Sequence, residues 1–217
     1  VSGSFSSPPE LLSKNESSLS ILGSVPGDAA PLRVYGPVWA VRKIGQSNPY
    51  PVANNTITVT LASFVTLKRS SQAVCSISIV GLNGSQTTDT ASMPIDLQGA
   101  AALAGVVNSQ GSWQMKGGIL KVALLNSAEV TPDTAVTFSF TLVNGPSGQD
   151  AQDVYVYTAG CEQDLAAERM EPDLITVLSV SGAKAGDASP MKIYNPGFIL
   201  KEIGQATPYP GANNTIT

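Results

Sequence analysis

The phrase Ile44–Thr58, IGQSNPYPVANNTIT, returns at Ile203–Thr217 as IGQATPYPGANNTIT, at an offset of 159 (203 − 44) and with 12 of 15 positions identical. The same offset pairs Gly27-Asp28-Ala29-Ala30-Pro31 with Gly186-Asp187-Ala188-Ser189-Pro190, and Val34-Tyr35-Gly36-Pro37 with Ile193-Tyr194-Asn195-Pro196. Further back, Leu19-Ser20-Ile21 meets Leu178-Ser179-Val180. A fixed internal period is the mark of a tandem array. Residues 1–33 therefore read as the linker or tail of a preceding unit, 34–158 as one unit, 159–190 as an inter-unit linker and 191–217 as the start of the next unit. The chain opens at Val1 with no initiator Met and no basic-then-apolar signal peptide, which reads as a removed leader or a segment of a longer chain. Arrays of similar modules suit stalks, fibres and multivalent surfaces, because reach and avidity grow with copy number.

The unit reads as all-β. Thr56–Leu61, Cys75–Ile79 and Val136–Leu142 alternate polar and apolar side chains, the period of a strand with one buried face. Arg33–Lys43, Ile119–Leu125, Val154–Tyr157 and Leu174–Val180 are further strand candidates. Turn signals at Leu82-Asn83-Gly84-Ser85, Gly117-Gly118, Thr131-Pro132-Asp133 and Asn144–Gly148 separate them. Strands at this spacing predict an immunoglobulin-like β-sandwich repeat, though the spacing does not place a Trp against an inter-sheet disulfide. The Ala-rich stretch Asp96–Val106 is a candidate short helix. Glu162–Met170 is expected as either a short helix or an irregular linker. Pro49-Tyr50-Pro51 and Pro208-Tyr209-Pro210 predict rigid connections between strands.

Composition narrows the function. The chain has no His, which removes the commonest general base, metal ligand and partner of a nucleophile. Two distant cysteines without His make a zinc site unexpected, and nothing places two carboxylates together as a glycosidase pair. An enzyme is not expected. Only 12 Lys plus Arg against 16 Asp plus Glu leave no electrostatic footprint for nucleic acid. Apolar runs such as Ala100–Val107 fall short of the roughly 20 residues of a membrane span, so no membrane insertion is expected.

Several residues are candidate sites. Four Asn-x-Ser/Thr sequons begin at Asn15, Asn54, Asn83 and Asn213. Asn54 and Asn213 occupy equivalent places before the first alternating strand, where an exposed glycan fits; the bland reading is an Asn-rich turn that caps the strand. Cys75 and Cys161 are either two buried thiols or one bridge, which in the chain-entropy picture contributes roughly 4 kcal/mol. Glu162, Asp164, Glu168, Glu171 and Asp173 invite Ca²⁺ at the unit junction, but Arg169 sits among them and the spacing matches no calcium loop. A solvated charged face is the simpler expectation, leaving covalent N-glycans as the only attached groups. Trp113, with Trp39 and Tyr50, is a candidate platform for stacking sugar, although Trp39 lies within a predicted strand and reads as core.

The phrase IGQ-x-x-PYP-x-x-NNTITVTL, followed by SISIVGLNGSQT at Ser76–Thr87, GSWQ at Gly111–Gln114 and TFSFTLVN at Thr137–Asn144, resembles the tandem immunoglobulin-like repeats of very large secreted surface or fibre glycoproteins of algae and other protists. The resemblance covers Val34–Thr158 and the restart at Met191–Thr217. It implies an extracellular, cell-surface structural or adhesive role and offers no active site to carry over. The expected function is a glycosylated fibre or filament module that self-associates with neighbouring units, end to end or by strand donation. The competing expectation is an adhesin or receptor stalk that binds glycans or proteins through its loops.

Overall fold

The computed structural model describes residues 17–98, 105–125, 128–132, 134–198 and 201–217. Asn15 lies outside these, as do residues 99–104 of the candidate helix Asp96–Val106. Thirteen strands and no helix form among the described residues. One sheet contains β1 (Trp39–Gln46), β2 (Asn54–Ser63), β6 (Asp96–Gln98), β10 (Val136–Val143) and β13 (Glu171–Pro172), in the order β13-β1-β2-β10-β6. The second contains β4 (Ser76–Val80), β5 (Thr90–Pro94), β7 (Val107–Gln114), β8 (Ile119–Leu124), β11 (Tyr155–Ala159) and β12 (Glu168–Arg169), in the order β12-β11-β4-β8-β7-β5. A two-stranded ribbon joins β3 (Leu67–Lys68) to β9 (Glu129–Val130).

The alternating segments do what period two dictates. Ile57, Val59 and Leu61 of β2 point inward beside Phe138, Phe140 and Leu142 of β10, while Ile77, Ile79, Leu120, Val122 and Val156 face them from the other sheet. Each such side chain withdrawn from water contributes about 1.5–3 kcal/mol, and together they hold the two layers as a sandwich. β2 and β10 pair along eight positions, from Val136↔Leu61 to Val143↔Asn54, so the longest alternating segments form the centre of the first sheet.

The sandwich departs from the antibody pattern in its middle. β4 pairs with β8, reached only after β5, β6 and β7, and β6 sits in the opposite sheet beside β10. The bridge between Cys75 and Cys161 joins residues flanking β4 and β11, neighbours within one sheet instead of partners across the core. The Gly117-Gly118 turn between β7 and β8 has both residues at positive φ, and a Cβ on Gly118 would lie 2.2 Å from the Leu82 carbonyl carbon.

Three stretches differ from their sequence reading. Asp96–Gln98, expected to open a short helix, instead forms β6 paired with β10. Leu174–Val180 forms no strand, and Leu174, Ile175 and Val177 are exposed. Apolar composition alone did not provide it with a sheet partner. Within residues 159–190, expected as a linker, β12 and β13 pair with the two sheets and Leu165, Met170, Asp187, Ala188 and Ser189 are buried. Glu162–Met170 is irregular until β12, and β12 and β13 place Arg169 in one sheet and Glu171 in the other, closing an edge of the sandwich around buried Met170. Arg42 fastens that corner by donating to the Arg169 carbonyl at 2.8 Å and facing Glu168 and Glu171 at 3.5 and 3.4 Å.

The bridge closes a loop of 86 residues, so reduction is expected to lower the melting temperature by about 8–16 °C, the equivalent of roughly 4 kcal/mol in a chain this long. Thermal melts with and without reductant, with a Cys75→Ser/Cys161→Ser variant insensitive to it, check this.

Candidate assembly site

The repeated phrase builds a polar seat at the β1–β2 end of the sandwich. Its Pro49–Ala53 turn needs a left-handed residue, and Val52 supplies it at φ 57°. The equivalent residue in the second copy is Gly211, at φ 76°, where the conformation is cheaper. Asn55 lies under the turn, fully buried. Its Oδ1 accepts the backbone N–H groups of Ser47 and Asn48, and its Nδ2 donates to Gln46 Oε1 and Asn144 Oδ1, both at 2.9 Å. Asn144, also fully buried, donates to the Asn48 and Tyr50 carbonyls at 2.8 and 2.9 Å. Buried amides of this kind are tolerated only when every donor and acceptor is met, and this trio meets that condition.

Onto the seat lies a strap, residues 181–194, which carries the second copy of the Gly-Asp-Ala-x-Pro motif. Gln46 Nε2 donates to the carbonyls of Asp187 and Lys192 at 2.9 and 2.8 Å, and the Gln46 N–H donates to the Ala188 carbonyl at 2.9 Å. Gln149 exchanges two backbone bonds with Ile193, and its Nε2 donates to the Met191 carbonyl at 2.7 Å. Tyr194 N–H donates to the Pro49 carbonyl, and the Tyr50 hydroxyl donates to the Ser181 carbonyl. Met191, Ile193 and Ala188 are buried by this docking.

The strap is organised by its own carboxylate. Asp187, buried, accepts from the Lys184 N–H at 2.7 Å, the Tyr194 hydroxyl at 2.5 Å and the Lys192 ammonium at 2.6 Å. Burial alone would push the Asp187 carboxyl up, but the Lys192, Tyr194 and Lys184 bonds outweigh it and hold the carboxyl below the ordinary carboxylate range. Burial and the Asp187 carboxylate together push the Tyr194 phenol well above its usual value.

The structure distributes the other candidate residues widely. Asn54 is exposed at the start of β2, Asn83 is exposed in the loop after β4, and Asn213 is exposed in the second copy. Trp113 is a correction: it is 1% exposed, and its Nε1 donates to the Thr87 carbonyl at 2.9 Å, so its ring packs in the core and presents no face to a sugar. Trp39 is buried as well, and Tyr50 is engaged edge-on with Tyr194 at the seat. The acidic residues have protein partners. Glu162 faces Lys68 at 3.1 Å, Asp164 accepts the Cys161 N–H, Glu168 and Glu171 face Arg42, and Asp173 accepts the N–H groups of Ile175 and Thr176. No cluster of three metal-ligating side chains occurs among the described residues.

Sequence reasoning did not single out Gln46, Asn144, Gln149 or Asp187 as a working group. One signal was available for Gln46 and Asp187, though not for Asn144 or Gln149: the phrase containing Gln46 and Asn55 and the motif containing Asp187 recur at the same offset, as two halves of one contact would.

No protein family and no curated protein matches the chain. Among solved structures, the chain is similar to one titled "AvmM Catalyzes Macrocyclization in Alchivemycin A Biosynthesis", with 8% identity, a TM-score of 0.35, and coverage of 63% of this chain and 91% of that one. A likeness of that size carries no functional weight.

The Asp187 knot makes the seat pH-sensitive in a defined direction. A depressed carboxyl stabilises the fold fully above the ordinary value of 3.8 and loses that contribution as pH falls through its lower folded value. The raised Tyr194 phenol acts at the other end, contributing below its ordinary 10.0 and losing the contribution as pH rises through its folded value. Asp187→Asn is expected to lower the melting temperature at neutral pH by about 5 °C and to flatten its fall in acid, measured by melts from pH 2 to pH 8.

Proposed function

We propose that this chain is a structural module of a secreted, N-glycosylated fibre or filament at a cell surface, built from like units joined end to end. The observation that carries this reading is that the phrase forming the Gln46–Asn55 side of the seat and the Gly-Asp-Ala-x-Pro motif of the strap both recur at one offset. The second copy of the phrase reproduces the local hydrogen bonds of the first: Asn214 Nδ2 donates to Gln205 Oε1 at 2.9 Å and Asn214 Oδ1 accepts the Thr207 N–H at 3.1 Å, as Asn55 does with Gln46 and Asn48. In that copy Phe198, Ile203 and Ile216 are exposed, whereas their counterparts Trp39, Ile44 and Ile57 are core. These side chains suit a further sheet.

Two features support the extracellular setting. A disulfide secures β4 to β11, as is usual in oxidising compartments. Asn54 leaves its side chain in solvent at the edge of the seat, with Thr56 of its sequon in β2. The module acts through shape and cohesion, without catalysis or a bound metal. The alternative, an adhesin or receptor stalk that binds glycans or proteins through its loops, loses Trp113 as a stacking surface for sugar.

Secretion from a eukaryotic host is expected to yield glycosylated protein, and Asn54→Gln is expected to lose the mass of one glycan in the intact mass spectrum. Immunogold labelling of source cells with an antibody to this chain is expected to decorate surface fibres at regular intervals. Diffuse intracellular labelling would overturn the reading.

A further inference from the structure

Leu32 and Val34 are 98% and 86% exposed, while their counterparts 159 residues later, Met191 and Ile193, are 0% and 4% exposed. The difference is not conformational. Leu32 and Met191 share a left-handed backbone, at φ 61° and 59°, which a non-Gly side chain adopts only when its surroundings enforce it. Gly27 and Gly186 lie at φ 96° and 88°, and the turn bonds Ala30 N–H to Gly27 O and Ser189 N–H to Gly186 O match at 3.1 and 3.2 Å. The carboxylate knot is duplicated too: Asp28 accepts from the Val25 N–H at 2.6 Å and the Tyr35 hydroxyl at 2.5 Å, and faces Arg33 at 3.3 Å. The first strap is thus already folded in the docked shape, with its apolar side chains in water.

We infer that Leu32 and Val34 dock into the seat of an upstream copy of this unit, so that each strap is clamped between two consecutive units. The inference rests on the array reading above and deepens it by naming the contact. The occupant is identified by the second strap, whose equivalent segment is gripped by Gln46, Pro49 and Gln149 of a seat. The seat recognises the strap through main-chain atoms, namely the carbonyls of Asp187, Ala188, Met191, Lys192 and Ile193. The first strap offers the same atoms at Asp28, Ala29, Leu32, Arg33 and Val34. Its side chains differ by small changes of size, Leu for Met and Val for Ile, which a packed pocket accepts.

The opposite side of the first strap is held by the unit that follows it. Tyr35 stacks on Phe64 with ring centroids 3.8 Å apart, and a Cβ placed on Gly23 would lie 2.9 Å from the Ala40 Cβ. A strap gripped on both sides sets a fixed angle between neighbours, where a flexible linker would leave it free.

A full-length chimera tests the contact by writing Ala30–Gly36 onto the equivalent positions at the occupied seat: Ser189→Ala, Met191→Leu, Lys192→Arg, Ile193→Val and Asn195→Gly. Docking predicts a melting temperature within about 4 °C of the parent and slow hydrogen exchange at the residue 193 amide, which bonds Gln149. Met191→Asp, the control for an undocked strap, is expected to melt at least about 10 °C lower. Leu32→Asp is expected to leave the melt of the parent chain unchanged. The inference is overturned if the chimera, and the simpler Met191→Leu/Ile193→Val variant with it, melts as early as the Asp control. It is equally overturned if the 193 amide exchanges as fast as that of Val34. Failed docking leaves a fibre held by other contacts standing, whereas intact docking without surface labelling removes the fibre reading alone.

Discussion

The buried amide of Asn55 is the interaction on which the arrangement turns. It sits where β1 and β2 of the first sheet begin to separate, and it meets three obligations at once: the Ser47 and Asn48 N–H groups of the turn, the Gln46 side chain and the Asn144 side chain. Removing it would leave the side-chain oxygens of buried Gln46 and Asn144 without this donor inside the protein, at a cost of about 1–3 kcal/mol for each group stranded. Gln46, fixed by Asn55, is in turn the residue that grips the strap. The network therefore couples the shape of a local turn to the docking of a segment more than a hundred residues away.

The strap has a complementary economy. Its carboxylate is neutralised internally, so it carries its own charge partner and asks little of the surface it meets. Strap and seat then meet through main-chain bonds and a few apolar side chains. Such a contact accepts changes in side-chain identity, which the inferred docking of Ala30-Pro31-Leu32-Arg33-Val34 in the place of Ser189-Pro190-Met191-Lys192-Ile193 requires. A chain with few charged residues and no His is consistent with cohesion of this kind, which relies on main-chain geometry and burial.

Much of the sandwich was legible in advance. The strictly alternating segments became β2, β4 and β10, because a period of two with β-branched and aromatic residues leaves one face no stable place except a core. Strands without clean alternation were harder to see. β7 interrupts its pattern with Gly111, packed against β8, and β5 has a register shift between Thr90 and Met93. Leu174–Val180 shows the opposite failure, since apolar content without a neighbouring sheet edge forms no strand. Trp113 could be read either way from Gly-Ser-Trp-Gln alone; only its position on β7, with Thr87 beside its indole, placed the ring inside.

By itself the sequence determined an all-β chain with a period of 159 residues, together with the turns that punctuate it, because alternation, glycine positions and repeats are local or self-referential properties. Which sheet each strand joined, the within-sheet bridge of Cys75 to Cys161, and the docking of Met191 and Ile193 were decided by tertiary structure alone. The physical reason is that two straps related by the same offset fold alike, yet Met191 and Ile193 of one are buried and Leu32 and Val34 of the other are exposed. Burial depends on what stands opposite a segment in space, and its own residues do not specify that.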